Sequence, residues 1–228
     1  MHDRIRSGIK GLDNLIDGGF VKGSVNLVSG APGTGKTIFG CQFINEGLKS
    51  GESAVLITLE EGMSKVKKIM NLHNMNPSKY IDEGKLYIID LGEPNPEGGK
   101  QASTTFMDIT DFVKNLLQFS APQRIVVDSL SPLVQSSGSI DQYRKDLSNF
   151  CRFLQESNIT SLLIAEKGKD GLTRSGVEEF ICDTFLFMDI VREGAILKRT
   201  FEIRKMRYSQ FNTSMHTAII TQAGLDVF

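Results

Sequence analysis

The 228 residues suffice to bury one sizeable core, so a single α/β domain over residues 1–228 is expected. Lys and Arg number 26 against 27 Asp and Glu in a chain that is 23% charged and 40% hydrophobic, which leaves no global pull toward nucleic acid or a membrane surface. The three cysteines, Cys41, Cys151 and Cys182, lie far apart with no CxxC spacing, which argues against a disulfide framework or a thiolate metal site. Small buried core residues in a reducing compartment are their expected role. No apolar run approaches bilayer length, and residues 1–6 are polar and charged rather than like a signal peptide, so a cytoplasmic protein without membrane contact is expected.

In chain order, the first predicted strand is at residues 24–29. It runs into Gly30-Ala31-Pro32-Gly33-Thr34-Gly35-Lys36-Thr37, a complete G-x-x-x-x-G-K-[ST] phosphate-binding loop. From Ile38 the apolar residues take helical spacing to near Lys49, where Ser50-Gly51 stops the helix. In that setting the glycines let successive backbone N–H groups turn toward phosphates, and the helix N-terminus adds positive potential. Lys36 would reach the β- and γ-phosphates, and the Thr37 hydroxyl would ligate Mg²⁺. The strand–loop–helix context predicts a nucleoside triphosphate site.

A buried strand follows at residues 53–59, a helix at 62–73 and a short strand at 86–90. Residues 91–102, with two prolines and three glycines, read as a loop. An apolar stripe of Phe106, Ile109, Phe112, Val113, Leu116 and Leu117 predicts a helix over 104–119. A strand at 124–128, a helix at 140–156 and a strand at 160–165 repeat the pattern. The tail changes character, with strands at 183–191, 198–207 and 213–221 and no strong helix between them. Glu193-Gly194 and residues 208–212 read as hairpin connections. Repeated β-then-α units predict a mostly parallel central sheet with helices on both faces, extended by C-terminal antiparallel strands.

Ligands of such sheets bind beyond the carboxyl ends of the strands. The strand at 124–128 ends in Asp128-Ser129, a Walker-B pattern that would hold Mg²⁺ directly or through water; Asp is also a common turn or cap residue at a strand end. The strand at 53–59 ends in Glu60-Glu61. These carboxylates would orient and polarise an attacking water, or merely favour a helix dipole. In the penultimate strand Lys205 and Arg207 occupy alternate positions and share a face, to reach a γ-phosphate in their own or a neighbouring subunit, or to guard a solvated edge. His73, near a predicted helix end, and His216, in a strand, have no metal-ligand partner and read as structural or exposed.

Assembled, these motifs resemble the KaiC family of RecA-type ATPases in a single-domain form. The similarity begins at Arg4-Ile5-Arg6-Ser7-Gly8-Ile9-Lys10-Gly11-Leu12-Asp13 with Gly18-Gly19 after it. It passes through the phosphate loop, Glu60-Glu61 and Asp128-Ser129, and closes with Gly176-Val177-Glu178-Glu179-Phe180 and Lys205-Met206-Arg207. The resemblance implies a RecA-like P-loop fold and Mg-dependent ATP hydrolysis. It also implies rings, often hexamers, with ATP held between subunits. Residues 30–38 (Ile38 included) would bind the nucleotide of their own chain, and Glu60-Glu61 would be the tandem catalytic glutamates. Lys205-Met206-Arg207, with Ser209 and Phe211, would contact the nucleotide of the adjacent protomer. The family's clock members carry two such domains and autophosphorylate neighbouring Ser and Thr in the second. Here the matching place is Glu179-Phe180, without a hydroxyl, although Thr173 and Ser175 lie nearby. A slow regulatory or signalling ATPase without autokinase activity, acting on an unknown protein partner, is therefore expected. One alternative is a DNA-binding ATPase like the RecA and RadA paralogues, with residues 131–139 and 167–175 lining a hole. The first segment has no basic residue, and the second has Lys167, Lys169 and Arg174 but no aromatic to stack on bases. Another is an assembly protein whose ATP is structural.

Overall fold

The computed structural model describes residues 3–92, 104–169 and 171–228; most of the loop expected at 91–102 lies outside the described residues. The described chain opens with a ribbon in which β1 (Arg4–Ile5) pairs antiparallel with β2 (Phe20–Val21), and α1 (Leu12–Leu15) lies between them. Then come β3 (Val25–Gly30), α2 (Lys36–Lys49), β4 (Ala54–Thr58), α3 (Met63–Leu72), α4 (Pro77–Asp82) and β5 (Leu86–Asp90). After these run α5 (Phe106–Leu116), β6 (Arg124–Asp128), α6 (Ser131–Ser136), α7 (Ile140–Glu156), β7 (Thr160–Glu166) and α8 (Glu178–Ile181). The chain ends with β8 (Thr184–Glu193), β9 (Ile196–Met206), β10 (Met215–Thr221) and β11 (Gly224–Val227).

Nine strands form one sheet in the order β11-β10-β9-β8-β3-β7-β6-β4-β5. From β8 to β5 every pairing is parallel, whereas β9, β10 and β11 continue the sheet antiparallel. This is the expected mostly parallel RecA-like sheet with an antiparallel extension. The central strands read as unbroken apolar runs because both faces are covered. Alternation still sorts their side chains: Ala54 and Leu56 join Phe39, Phe43 and Val126 on one face, and Val55 and Ile57 join Ile109, Val113 and Leu147 on the other. Helix α5 is started by a capping box, with Thr105 Oγ1 accepting from Asp108 N and the Asp108 carboxylate accepting from Thr105 N.

Differences from the sequence expectation fall on short elements. Helix α4 begins with Pro77 in its first turn, a start signal with too short an apolar pattern behind it. Helix α6 occupies most of the segment expected as a loop at 131–139, again with a proline near its start. Strand β11 follows a tight turn in which Ala223 N donates to Thr221 Oγ1. Among the described residues no helix is long and apolar enough to cross a membrane.

The base of β6 carries a buried cation. Arg124 is 1% exposed; its Nε pairs with Glu52 Oε2 at 2.5 Å, and its Nη1 donates to Arg6 O at 2.8 Å and Phe43 O at 2.9 Å. The guanidinium also lies over the Phe43 ring, 4.7 Å from its centroid. Removing one partner of such a pair leaves buried polar groups unmet. Arg124→Ala should therefore lower the unfolding free energy by about 3–5 kcal/mol, read by urea denaturation, and Glu52→Gln, which leaves the buried guanidinium without its counter-charge, should also destabilise.

Candidate functional site

The phosphate loop leaves the middle of the sheet. Strand β3 is hydrogen-bonded on both sides, to β7 and β8, and the bonding continues past its end: Lys167 N donates to Gly30 O at 3.1 Å and Ala31 N to Met188 O at 3.2 Å. Gly30 can only be glycine there, because a Cβ would stand 2.2 Å from Met188 O. Gly35 caps α2 in the left-handed region at φ 103°. Inside the loop Thr34 Oγ1 donates to Ala31 O at 2.8 Å, and Lys36 Nζ bends back onto Gly30 O at 2.8 Å and Ala31 O at 3.0 Å. From β9, Arg199 Nε braces Gly33 O at 3.1 Å.

The loop opens on a cleft of about 410 Å³. One wall is polar: Lys36, Thr37, Glu60, Glu61, Asp128, Ser129 and Glu166. The other is formed by Pro32, Ile38, Ile69, Leu72, His73 and Ile220. Among the described residues there are larger hollows, one of about 600 Å³ between α5 and α7, one of about 440 Å³ beside the N-terminal ribbon and one of about 610 Å³ lined by Phe180, Lys205 and Arg207, but none gathers a phosphate loop and carboxylates. The cleft therefore holds Lys36, Thr37, Glu60, Glu61 and Asp128 together. Thr34 turns inward to brace the loop, and Gly30 and Ala31 frame it from behind.

Each charged group bears the cost of its position. Burial lowers the Lys36 ammonium, an effect opposed by the charges of Asp128, Glu166 and Glu60. Burial also raises the Asp128 carboxyl to about 6, against the Thr37 hydroxyl and Lys36, which favour its ionised form. Glu60 Oε2 accepts from Ser129 Oγ at 2.5 Å, so the end of β4 is tied to the end of β6. The pair Glu60-Glu61 does not sit in the first turn of α3, which is capped at Gly62; Asp90 Oδ2 accepts the Met63 N–H at 2.8 Å instead. The helix-dipole role open to the two glutamates thus falls to Asp90. Among the described residues no group of three or more His, Cys, Asp and Glu is placed to hold a metal ion. Thr37 and Asp128 fit a cation that takes its other ligands from phosphate and water, as Mg²⁺ does.

Lys205 and Arg207 lie elsewhere. Lys205 Nζ donates to Glu179 O at 2.9 Å, Phe180 O at 3.2 Å and Cys182 O at 2.5 Å. Arg207 reaches Phe180 O at 3.1 Å, Ile181 O at 3.3 Å and Asp183 Oδ1 at 3.4 Å. Both thus cover the carbonyl end of α8. Gly30 faces Met188, which faces Phe201, whereas Lys205 faces Phe185 at the start of β8. Lys205 is roughly 13 Å further along the strand and two strand spacings (~10 Å) across from the phosphate loop. Met206 is buried in the core, Phe211 packs against it, and Ser209 Oγ accepts from Arg4 Nη2 at 2.9 Å. None of the five lines the cleft of its own chain.

Three polar cleft residues are not among the candidate site residues read from the sequence. Glu166 ends β7 and pairs with Arg174 at 3.3 Å; the strand-end rule applied to Asp128 would have reached it too. Ser129 carries the bond to Glu60. His73, expected to be structural or exposed, lines the cleft beside its apolar residues.

The family model described as "ATPase: KaiC" matches residues 5–228. The circadian clock oscillator protein KaiC of Nostoc sp. is 30% identical over 232 residues, which cover 99% of this chain and 44% of that protein. A UPF0273 protein of Thermotoga maritima is 30% identical over 238 residues, covering 100% of this chain and 97% of its own. The crystal structure of a KaiC-like protein from Pyrococcus horikoshii matches at a TM-score of 0.87 and 30% identity, with 100% of both chains covered. The chain thus spans less than half the length of the clock proteins and nearly all of the other two.

Asp128 makes metal-free stability depend on pH. Its folded carboxyl titrates near 6 against 3.8 unfolded, so the folded chain holds that proton more tightly, and stability from this group rises as pH falls from about 6 toward 3.8. The gap of about two units corresponds to a penalty of about 3 kcal/mol at neutral pH. In EDTA, Asp128→Asn should be more stable than wild type by up to that amount at pH 7.5, with the difference shrinking toward pH 5 in urea unfolding.

Proposed function

Because the chain belongs to the KaiC family of ATPases, we propose that it binds MgATP in this cleft and hydrolyses it, the site being completed by Lys205 and Arg207 of a neighbouring copy in a ring. The observation that carries the reading is their separation: the phosphate loop ends the parallel strands, and Lys205 and Arg207 sit at the opposite end of β8 and β9. In a closed ring of head-to-tail copies, hexameric as in the family resemblance, such opposed surfaces meet between subunits. The 228 residues act as one ATPase domain, working in the cytoplasm as a slow regulatory ATPase on a protein partner.

The roles follow the geometry. Backbone N–H groups of residues 30–37 and the α2 N-terminus receive the phosphates, and Lys36 exchanges its two loop carbonyls for phosphate oxygens. Thr37 and Asp128 would hold Mg²⁺, which would supply neutralisation of the charge on the phosphate oxygens. Glu60 and Glu61 orient a water for in-line attack on the γ-phosphorus and take up its proton as the bond to the β-phosphate oxygen breaks. The Ser129 bond fixes Glu60 for this task. Lys205 and Arg207 of the neighbour offset charge spread over the transferring group.

A DNA-handling role has less support. Residues 131–136 of the first candidate segment are helix α6, and in the second Lys167 pairs with Asp189 at 2.5 Å and Arg174 with Glu166. Two of its three cations are thereby already neutralised. Autokinase activity is equally disfavoured at Thr173, which is 2% exposed and donates to Glu179 Oε2 at 2.5 Å.

Lys205→Ala or Arg207→Ala should reduce ATP turnover by roughly 10³-fold or more, with ATP Kd changed by less than about threefold because the contacts are made across the interface. Each combined with Lys36→Ala in one ring should regain turnover, since some interfaces then hold both intact halves. Equal turnover by a monomer, measured with mass on the same dilution series, would remove the shared site. Glu60→Gln with Glu61→Gln should abolish hydrolysis while ATP still binds; unchanged turnover assigns the base elsewhere.

A further inference from the structure

The two walls of the cleft differ in what they can hold. The phosphate loop, Lys36 and the carboxylates suit the charged end of a nucleotide, and Ile38, Ile69, Leu72 and Ile220 are the apolar lining left for its uncharged remainder. Leu72 stands 72% exposed on that wall, a large apolar side chain left in water where a flat ring would cover it.

His73 closes α3 beside Leu72. Its backbone is spent on the cap, with the N–H shared between Ile69 O and Met70 O at 3.3 and 3.2 Å. The side chain is only 7% exposed and lines the cleft, and its Nδ1 is enclosed without a partner among the described residues. A buried polar group without a partner is uncommon in a native fold. A neutral imidazole has one N–H, and enclosing that N–H without an acceptor costs more than enclosing a lone pair. An Nδ1 enclosed without an acceptor is better left as a lone pair, which puts the N–H of the neutral imidazole on Nε2.

We propose that His73 is a specificity residue of the nucleotide site: Nε2–H donates to a ring nitrogen of a purine lying over Leu72, and this selects purine over pyrimidine nucleoside triphosphates. A purine spans more of the apolar wall than a pyrimidine does, and both of its rings carry acceptor nitrogens. The inference rests on the reading of the cleft as a nucleoside triphosphate site.

The test is equilibrium binding of ATP, CTP and inorganic tripolyphosphate to the full chain, as wild type, His73→Phe and His73→Gln. Wild type should prefer ATP to CTP. His73→Phe should weaken ATP roughly three- to tenfold, the worth of one neutral hydrogen bond, and leave CTP and tripolyphosphate unchanged. His73→Gln, which keeps an N–H donor, should recover part of the loss. Unaltered ATP affinity in His73→Phe overturns the proposal. Equal weakening of all three probes overturns it in favour of a structural role, and weakening of both nucleotides but not tripolyphosphate assigns the contact to ribose. Lys36→Ala tests the underlying site separately: if all three probes still bind it as they bind wild type, the cleft is not where the phosphates sit, whatever His73 does.

Discussion

The position of one strand governs the rest. Strand β3 is gripped on both edges by parallel neighbours, and its last residue approaches Met188 too closely to carry a side chain. With that register fixed, the chain must turn out of the sheet at Ala31, and α2 must begin at Lys36 over the same edge. Parallel pairing sends the ends of β4, β6 and β7 to that edge as well, delivering Glu60, Asp128 and Glu166 from three separate strands. Local turn chemistry alone could make a phosphate loop, but only the shared register brings carboxylates to face it.

The same geometry is costly to stability. Lys36 and Asp128 are each held where burial disfavours their charge; Lys36 is eased by Asp128, Glu166 and Glu60, and Asp128 by the Thr37 hydroxyl and Lys36. A core built for stability alone would not place these groups together. Their mutual dependence suits a site that receives a highly charged ligand, since phosphate and cation supply the missing partners. Lys36 Nζ folds back on the loop carbonyls of Gly30 and Ala31, which serve as its hydrogen-bond partners.

Much of this was legible in the residues. The long elements declared themselves because a strand covered on both faces leaves an unbroken apolar run, and because α5 and α7 carry clean helical stripes. The phosphate loop could be read because only glycine and lysine at that spacing do its work. Short elements were not legible: α4 and α6 have too few turns for periodicity, and β11 is a strand mainly by virtue of its partner β10. At the site, Asp128 is legible because it ends a parallel strand, and Glu166 ends the neighbouring strand β7 in the same way. The place of Lys205 was beyond reach, since spacing gives the face of a strand but not which end of a nine-stranded sheet it occupies. His73 was set aside because a lone histidine carries no signal until its surroundings are known.

The buried Arg124 has a further consequence for how the molecule opens. One guanidinium joins the carbonyl that follows β1, a carbonyl of α2 and the carboxylate that precedes β4. The N-terminal ribbon would otherwise resemble an appendage, two short strands outside the main sheet. To fray, it must strip a carbonyl from a cation that water cannot readily reach. Its amide protons should thus exchange with those of the central strands, in one cooperative unit, rather than ahead of them as chain ends usually do.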